Sequence, residues 1–510
     1  MKLETCFLKL ENISKMVFLI LFGIFLTILS IVSFLFTTYY GLDYAEHPLY
    51  EKDNFIFLLI IFILVILALF LFDKYYGIEK INTRILLFAL MVYTLVLGVL
   101  WVFISSSVPN ADQNTVSVIA DQFCDNNFTA LKYGGYLFIY PFQLGMVALL
   151  ELIYRIAGKD SFLLFQFINT VFLCVSFYAI YRITAISFKK DKIINIFLIL
   201  LFGCFQLIMF CTFVYGNIMS LMLSVISVWM QLKYFENNKI RYFIISAISI
   251  AFAIVIKSNS TIILFAIIIM FLLNFLKNRK LMQLVLPVVL VLISVIPGIL
   301  LNTFYEKRSG MEINDGAPKL LWVAMGLQES ERAPGWYNGY SYEPYVENKF
   351  DKEKTTNQAK EAIYSSLNNF KNNPVYAARF FCKKFVSQWN DPSFQDFWIS
   401  RNPNKEYSET TNNMYYGKLH NISIGFMNTY HFIVIFSALC FVMLEWKRIS
   451  TNQIFFALIV FGGFLFHMVW EAKGQYIVTY FVMIIPYAAA GINAILERIK
   501  SKRKKINDRQ

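Results

Sequence analysis

The sequence predicts an all-α polytopic membrane protein with about twelve transmembrane helices. Of its 510 residues, 58% are hydrophobic and 15% are charged, whereas soluble domains carry about 25% charged residues. The mean hydropathy is +0.55, which excludes a soluble enzyme with a single anchor. Apolar runs long enough to cross a hydrocarbon core of about 30 Å recur from residue 16 to residue 496.

Twelve apolar runs are candidate spans. They lie near 16–38, 55–72, 85–105, 161–184, 193–212, 213–231, 242–257, 259–276, 281–301, 430–446, 452–470 and 475–495. The first run has no small-residue cleavage site and is followed by further spans. We therefore predict an uncleaved first span rather than a signal peptide.

The stretch 142–157 is apolar but is predicted not to span. It has 16 residues and carries Glu151 and Arg155 at i,i+4 on one helical face. Without a crossing there, 25 Lys and Arg fall on one side, 6 on the opposite short loops and 15 in 303–429. A full crossing would invert the upstream loops and spoil this asymmetry. The sequence thus predicts an interfacial or re-entrant helix on the outer face, with both termini cytoplasmic.

The net charge of +13 is interpreted as a topology signal. Basic residues sit in short clusters between apolar runs, as in membrane loops, so lipids are the expected partner and nucleic acid is not. Seven cysteines are too few for a disulfide framework. Five of them are expected inside or between spans, namely Cys6, Cys174, Cys204, Cys211 and Cys440. Pairing of the two outer-face cysteines, Cys124 and Cys382, is left open.

The predicted spans divide the chain into five parts. They are two additional N-terminal spans (1–84), a transmembrane core with a first outer loop at 106–160 (85–301), a mixed extracellular segment (302–429), three C-terminal spans (430–497) and a basic cytoplasmic tail (498–510). Helix-like stretches are expected near 354–371 and 374–388.

Carboxylates in the first outer loop are the leading catalytic candidates. A helical count from Asp112 reaches Val116, Ile119 and Phe123. Asp112 is therefore expected on the apolar face of a helix, where a carboxylate is costly unless it has a partner or a function. Asp121 and Asp125, the second acidic candidates, fall on the other face. Alternatively, Asp112 merely occupies a first helical turn, where the macrodipole favours it.

A second cluster of polar residues lies between the last two predicted spans. It comprises His467, Glu471, Lys473, Gln475 and Tyr476. These residue types suit the binding of a polar substrate at the membrane surface. The alternative is an aromatic belt with snorkelling ends.

Two further features complete the set of candidates. Lys257 stands alone at the outer end of its predicted span, where it is a candidate partner for a lipid phosphate or simply snorkels. Trp336 and Trp389 lie beside amides and carboxylates in the long outer segment, and such rings suit stacking on a sugar. A Tyr- and Trp-rich fold lying on the membrane surface is the alternative.

Several of these motifs together resemble the GT-C superfamily of membrane glycosyltransferases. They are the early loop Asp, the run Tyr136-Leu-Phe-Ile-Tyr140-Pro-Phe-Gln143, the isolated Lys257, and Glu471 with Tyr476 before the last span. The resemblance covers roughly 85–500 and includes protein O-mannosyltransferases and lipid A aminoarabinose transferases. Similarity to large membrane glycosyltransferases of low-GC Gram-positive bacteria is closer. Gln475 stands where family members commonly have Arg, and Lys473 is a candidate substitute.

The resemblance implies a mechanism and its partners. The donor is a polyprenyl-phosphate sugar, and Asp112 acts as general base on an acceptor hydroxyl, with inversion at the anomeric carbon. Lys257, Lys473 and Lys132 are candidates to hold the donor phosphate. The resemblance assigns substrate binding to Tyr136, Tyr140 and Gln143, together with the second cluster and the two tryptophans. It assigns the helix 142–157 to the wall of a lipid groove.

The resemblance further implies a plasma-membrane enzyme with its active site on the extracellular side. The acceptor is a cell-wall glycopolymer, a lipid or a surface protein. No metal site is predicted from the four histidines, and a divalent cation is left open as a cofactor.

Three other functions are weighed against the transferase. A flippase or transporter of lipid-linked glycans would favour inverted repeats and broken helices meeting near the midplane. The two prolines of the run 281–301 and Pro486 form no matching pair. The sequence does not distinguish a glycan ligase or polymerase from a transferase of single sugars. A non-catalytic scaffold would leave the isolated Asp112 unexplained.

Overall fold

The structure of the chain, a computed structural model, describes residues 2–42 and 46–507, with side chains between residues 9 and 502. The side chain of Cys6 and the last part of the predicted basic tail lie outside this description. In chain order the elements are α1 (Lys2–Leu35), β1 (Phe36–Tyr40), β2 (Pro48–Lys52), α2 (Phe55–Tyr75), α3 (Thr83–Ser105), α4 (Ala111–Cys124), α5 (Tyr136–Ile139), α6 (Leu144–Ala157), α7 (Phe162–Phe188), α8 (Asp191–Phe202), α9 (Phe205–Met209), α10 (Asn217–Asn237), α11 (Ile240–Ile256), α12 (Thr261–Asn278), α13 (Met282–Ser309), α14 (Leu320–Gly326), α15 (Glu343–Glu347), α16 (Lys352–Asn372), α17 (Pro374–Trp389), α18 (Asp396–Ser400), α19 (Glu409–Tyr416), α20 (Lys418–Glu445), α21 (Thr451–Val469) and α22 (Val478–Asn507).

The prediction of a polytopic all-α membrane protein is confirmed. Within the described residues, ten helices are long and apolar enough to cross a membrane. The predicted span 193–212 is the bent pair of α8 with the helical turns up to Thr212, which meet at 56°. The predicted span 242–257 is α11, an apolar helix slightly shorter than the others. Each of the twelve predicted spans therefore corresponds to one helical segment.

The segment 106–160 begins and ends at the same end of the helix bundle. The Gln166 side chain at the start of α7 donates to the carbonyl of Ser107 just after α3, at 3.2 Å. Between these points the helical turns Thr129–Ile139 and Pro141–Ala157 meet at 104°. This geometry agrees with the predicted re-entrant helix. The end of the bundle that carries this segment is called the site end below.

Ionic contacts hold the re-entrant segment in place. Glu151 of α6 pairs with Arg155 at 2.8 Å and with Arg308 of α13 at 2.7 Å. The Tyr305 hydroxyl donates to the other Glu151 oxygen at 2.6 Å. Because Glu151 is only 2% exposed, its charge requires these partners. The i,i+4 pair noted in the sequence is thus a structural link between α6 and α13.

The first two spans are part of the main core. Phe22 and Phe25 of α1 are buried, and their rings contact Tyr487 of α22 and Trp389 of α17. Residues of α1 and α2 share one hydrophobic core with those of the later helices. The chain segment described as an addition therefore packs against the C-terminal spans.

A two-stranded hairpin joins α1 to α2 at the site end. Strands β1 and β2 pair antiparallel, with Thr38 opposite Tyr50. The side chain of Asn390, after α17, donates to the carbonyl of Phe36 at 2.6 Å, and the Thr38 amide donates to the carbonyl of Asn390 at 3.3 Å. The sequence prediction contained no strand here, because five residues between two long spans give little periodicity.

The long outer segment is helical and shorter than predicted. Helix α13 continues to Ser309 and α20 begins at Lys418, so both extend beyond the predicted boundaries of 302–429. Helices α16 and α17 confirm the two predicted helix-like stretches. Cys124 and Cys382 are both free thiols.

Candidate active site

Four charged side chains from three parts of the chain meet at the site end. They are Asp112 in α4, Lys257 after α11, and Glu471 and Lys473 in the loop between α21 and α22, here called the site cluster. Their charges act on one another. Lys473 and Asp112 both influence the pKa of Lys257 and that of Glu471. Candidates that are far apart in the sequence are therefore neighbours in space.

Asp112 lies in the first turn of α4 and is exposed. The prediction that it shares the buried apolar face is wrong, although Val116, Ile119 and Phe123 are buried as expected. Gln113 takes the buried place in this turn, where its carbonyl oxygen accepts from the amide of Val214 at 2.9 Å. One residue is about 100° of helical rotation, so anchoring Gln113 turns Asp112 to the open side.

Tyrosine hydroxyls surround the Asp112 carboxylate. The nearest belongs to Tyr136, which donates to Asp112 Oδ1 at 3.5 Å. Burial chiefly, with the negative charge of Asp112 contributing, raises the pKa of five tyrosines, Tyr136, Tyr140, Tyr215, Tyr337 and Tyr476. These hydroxyls remain protonated at neutral pH and are available as hydrogen-bond donors.

Lys257 is a partly buried lysine whose ammonium group contacts an amide oxygen and two aromatic rings. Its Nζ donates to Asn217 Oδ1 at 2.6 Å and lies 4.9 Å from the ring centre of Tyr215 and 5.5 Å from that of Tyr476. Burial, and secondarily the Lys473 cation, lower the pKa of Lys257 to about 7. In the described part of the chain these contacts leave the Lys257 ammonium without an ion pair, in an enclosed setting that differs from that of a snorkelling side chain.

Lys473 is paired with a carboxylate that sequence analysis missed. Its Nζ lies 3.2 Å from Glu46 Oε1, in the loop between β1 and β2, and Glu46 Oε2 lies 3.4 Å from Arg332 Nε. Burial lowers the pKa of Lys473, but Glu46, Glu471 and Asp112 together outweigh it and raise that pKa. No local pattern around Glu46 signals this role, because its partners are distant in the sequence.

Glu471 is held by the residues predicted with it. Tyr476 donates to Glu471 Oε2 at 3.1 Å. His467 is fully buried, its Nδ1 lies 3.2 Å from the Glu471 carbonyl oxygen, and its ring stacks on Tyr476 at 5.4 Å. Burial, above all, raises the pKa of Glu471. His467 was predicted to bind substrate. Its buried ring instead packs beneath Tyr476 and Glu471.

Two glutamines form the inner wall of the site. Gln143 is 9% exposed and donates to the Tyr215 hydroxyl. Gln475 is 8% exposed, and its backbone carbonyl accepts from Asn217 at 3.3 Å. The Gln143 side chain and the Gln475 backbone thus each bond a neighbour of Lys257. Among the described residues, Gln475 Oε1 has no hydrogen-bond partner, so the position that commonly carries Arg holds a buried neutral amide.

Trp336 and Trp389 do not face a ligand, and the prediction that they stack on a sugar is wrong. Each is 1% exposed. Trp336 Nε1 donates to Ser387 Oγ at 2.8 Å and its ring contacts Tyr40. Trp389 packs on Phe25 at 5.0 Å. Both rings fill the junction of the hairpin, α17 and the bundle.

Three other candidates lie away from the cluster. Asp121 and Asp125 come more than two turns of α4 after Asp112, and Asp125 forms an exposed ion pair with Lys159. Lys132 is exposed after the turn Thr129–Leu131, and in the described part of the chain no hydrogen bond or ion pair joins its side chain to the cluster. These positions take no part in the arrangement.

A third lysine near the site, Lys384, was not predicted as a site residue. Lys384 of α17 is fully buried, and its Nζ donates to the carbonyls of Gly326 and Trp470, the latter at 2.7 Å. Burial lowers its pKa to about 7, opposed by Glu471. Lys384 therefore ties α14 and α17 to the residue that precedes Glu471.

Aromatic rings and an open cavity flank the cluster. Tyr140, Phe142, Trp322 and Trp470 form a continuous wall, in which the two tryptophans stack at 6.1 Å. A cavity of about 380 Å³ lies along α4 and is lined in part by Tyr136. Its other polar lining residues are uncharged, namely Asn114, Thr115, Gln122 and Thr129. No three His, Cys, Asp or Glu side chains within the described ranges are grouped as for a metal ion.

Residues 144–300 match the sequence model of a family described as dolichyl-phosphate-mannose-protein mannosyltransferase. The stretch runs from α6 into α13 and includes Lys257 but not Asp112 or Glu471. For this part of the chain the match confirms the resemblance to GT-C membrane glycosyltransferases. The closer similarity to the Gram-positive bacterial branch stays a prediction. A search of curated protein sequences finds no match.

Two solved structures from Archaeoglobus fulgidus are similar to the chain. One is the archaeal oligosaccharyltransferase AglB in complex with an inhibitory peptide and a dolichol-phosphate, with a TM-score of 0.45 and 14% identity over 86% of this chain and 52% of that one. The other is an oligosaccharyltransferase tethered with an acceptor peptide containing the NVT sequon, with a TM-score of 0.43 and 14% identity over 85% and 51%. The chain spans about half the length of these structures.

Proposed function

We propose that the protein is a membrane glycosyltransferase that moves a sugar from a polyprenyl-phosphate donor to an acceptor hydroxyl. This proposal rests on one observation. An exposed carboxylate, Asp112, lies near two lysines, Lys257 and Lys473, at the site end of the bundle. Glycosyl transfer from a lipid phosphate needs a base for the acceptor and fixed cations for the leaving group. The family match over residues 144–300 supports the same class of reaction.

In the proposed reaction, Asp112 accepts the proton of the acceptor hydroxyl. The acceptor oxygen forms a bond to the anomeric carbon as the bond from that carbon to the phosphate oxygen breaks, with inversion. The polyprenyl phosphate leaves with an additional negative charge, which Lys257 and Lys473 stabilise. Lys257 suits this role because its present partners are neutral, an amide oxygen and two aromatic rings.

The two flanks of the cluster suit the two substrates. The aromatic wall that includes Phe142 and Trp470 offers an apolar surface for the polyprenyl chain, at the start of the re-entrant helix α6. The cavity along α4 offers amide and hydroxyl groups for a neutral acceptor and opens beside Tyr136. Asp112 is next to this cavity, because Tyr136, which lines it, donates to the Asp112 carboxylate.

The proposed setting is the plasma membrane of a bacterium, with the site on the extracellular side and both termini in the cytoplasm. The Lys and Arg bias of the loops supports this orientation. A cell-wall glycopolymer, a lipid or a surface protein is the proposed acceptor, and a divalent cation stays an open prediction.

Substitution of Asp112 tests the proposal. We expect D112N to abolish transfer of radiolabelled sugar from a polyprenyl-phosphate donor without lowering membrane abundance, because Asn cannot accept the proton. D125N is the matched control, since Asp125 ends the same helix in an exposed pair with Lys159, and it should transfer at the wild-type rate. Wild-type turnover by D112N would overturn the assignment of the base.

A further inference from the structure

The hairpin between the first two spans brings a carboxylate into the site. Glu46 follows strand β1 and precedes β2, and only 2% of its surface is exposed. An ionised carboxylate buried to this extent requires partners of opposite charge. Its two ion pairs come from different parts of the chain.

One partner of Glu46 belongs to the site cluster, and the other lies in the outer segment. Lys473 Nζ lies 3.2 Å from one Glu46 oxygen, and Arg332 Nε lies 3.4 Å from the other. Gln395 adds a weak contact, its Nε2 lying 3.5 Å from Glu46 Oε1. Glu46 therefore bridges the loop before α22 and the outer segment after α14.

The ion pair decides where the Lys473 ammonium lies. Asp112 and Glu471 also attract Lys473 electrostatically, but among the described contacts Glu46 forms its ion pair. Without Glu46, the nearest opposite charges would be those two carboxylates of the site cluster. Lys473 would then leave the position that its pair with Glu46 fixes.

The hairpin is fixed well enough to hold a side chain in place. The Tyr40 hydroxyl at the end of β1 donates to the carbonyl of Ser387, and Arg401 NH1 donates to the carbonyl of Leu42 at 2.5 Å. Asn390 adds the bond to Phe36 described above. These contacts fix β1, and β2 pairs with β1 along its length, so the hairpin that carries Glu46 is held against the outer segment.

We propose that Glu46 is a positioning residue that holds Lys473 toward the donor phosphate, so that the first two spans and their hairpin complete the active site. The proposal rests on the glycosyltransferase function proposed above. It gives the N-terminal pair of spans, through Lys473, an indirect part in catalysis, where the sequence indicates only an addition to the core.

Steady-state kinetics test this role. We expect E46Q to raise the KM for the donor about tenfold, since a misplaced binding group costs one to two orders of magnitude, with the KM for the acceptor unchanged. E46D should restore part of the loss because it keeps the charge. E51Q is the matched control, since Glu51 belongs to the same hairpin and bonds Tyr39 at 2.5 Å; it should leave both KM values unchanged.

A double-mutant cycle shows whether Glu46 acts through Lys473. K473M alone should raise the donor KM at least as much as E46Q, and adding E46Q to K473M should cause no further rise. Additive losses, or a donor KM of E46Q equal to that of the wild type, would overturn the proposal.

Chemical labelling separates this inference from the proposed function. The rate at which an amine-reactive reagent modifies Lys473, followed by peptide mass spectrometry, should increase several-fold in E46Q, while the rate at the exposed Lys360 stays constant. If the wild type transfers no sugar, the proposed function fails. Faster labelling of Lys473 in E46Q than in the wild type would still show that Glu46 holds Lys473. Equal labelling of Lys473 in both proteins would refute the positioning role.

Discussion

At the scale of single residues, the surroundings of Lys257 matter more than its position in the sequence. An isolated lysine at a span end is ordinarily a snorkelling side chain. Here Asn217, Tyr215 and Tyr476 hold its ammonium without neutralising it. Burial and the cation of Lys473 lower its pKa to about 7, so its charge changes within the physiological range.

The affinity for an anionic donor should therefore depend on pH. An anion stabilises protonated Lys257, so the Kd of a polyprenyl phosphodiester, whose own charge is constant, should be level below about pH 7. Above that value it should rise up to about tenfold per pH unit until the pKa of the bound form is reached. Equilibrium binding between about pH 6 and pH 9 measures this. K257R should give a flat profile because Arg keeps its charge, and a flat wild-type profile would contradict the account.

Trp389 illustrates a residue whose type does not reveal its role. Its ring is buried against Phe25 and Phe464, so W389A should lower the free energy of unfolding by about 3–5 kcal/mol. Thermal denaturation in detergent measures the loss. W446A is the control, because Trp446 is 43% exposed at the opposite end and should leave the melting temperature nearly unchanged. A stable W389A with a raised donor KM would instead favour a ligand-binding role.

At the scale of elements, the site depends on close contact between α6 and α11. A Cβ added to Gly145 would lie 2.0 Å from the carbonyl oxygen of Val255, two residues before Lys257. Glycine is required here because two backbones approach each other, and no small rotation of a side chain could relieve the contact.

Substitution of Gly145 should therefore impair the site indirectly. G145A must separate α6 from the end of α11, which displaces Lys257, and we expect at least a tenfold fall in kcat/KM for the donor. Transfer assays on membranes with matched protein levels measure it. G425A is the control, since a Cβ there meets no atom within 4 Å. Unchanged transfer by G145A would show that this contact does not position Lys257.

The elements differ in how far the sequence could predict them. The twelve spans were predictable because each is a long apolar run, and α16 and α17 because their periodicity is helical. The orientation of Asp112 was not, since it follows from the anchoring of Gln113 by Val214. The role of Glu46 was equally hidden, because Lys473 lies at the other end of the chain.

At the scale of the whole molecule, polar contacts join early and late helices at one end of the bundle. Glu11 near the N-terminus accepts from Thr451 at 3.0 Å, and Lys192 pairs with both Asp73 and Glu497 at 2.6 Å. These contacts lie at the end of the bundle opposite to the site cluster. The Lys and Arg asymmetry of the loops predicts that this end is cytoplasmic.

Thiol labelling of intact cells tests this topology. Cys382 is exposed at the site end, so we expect an impermeant maleimide to label it from outside, with C382S as the negative control. In a C382S background, K74C lies at the opposite end and should be labelled only after permeabilisation. Labelling of K74C from outside would reverse the orientation.

The most direct test of the central claim follows the sugar–phosphate bond in sealed vesicles. Purified protein is reconstituted with a polyprenyl-phosphate donor that is labelled in its sugar. The acceptor is present only on the side of the vesicle membrane where the site end of the bundle lies. We expect label to reach the acceptor with the wild type and D125N and not with D112N. Label that crosses the bilayer while still bound to its lipid, equally with D112N, would contradict it and identify a transporter of lipid-linked glycans.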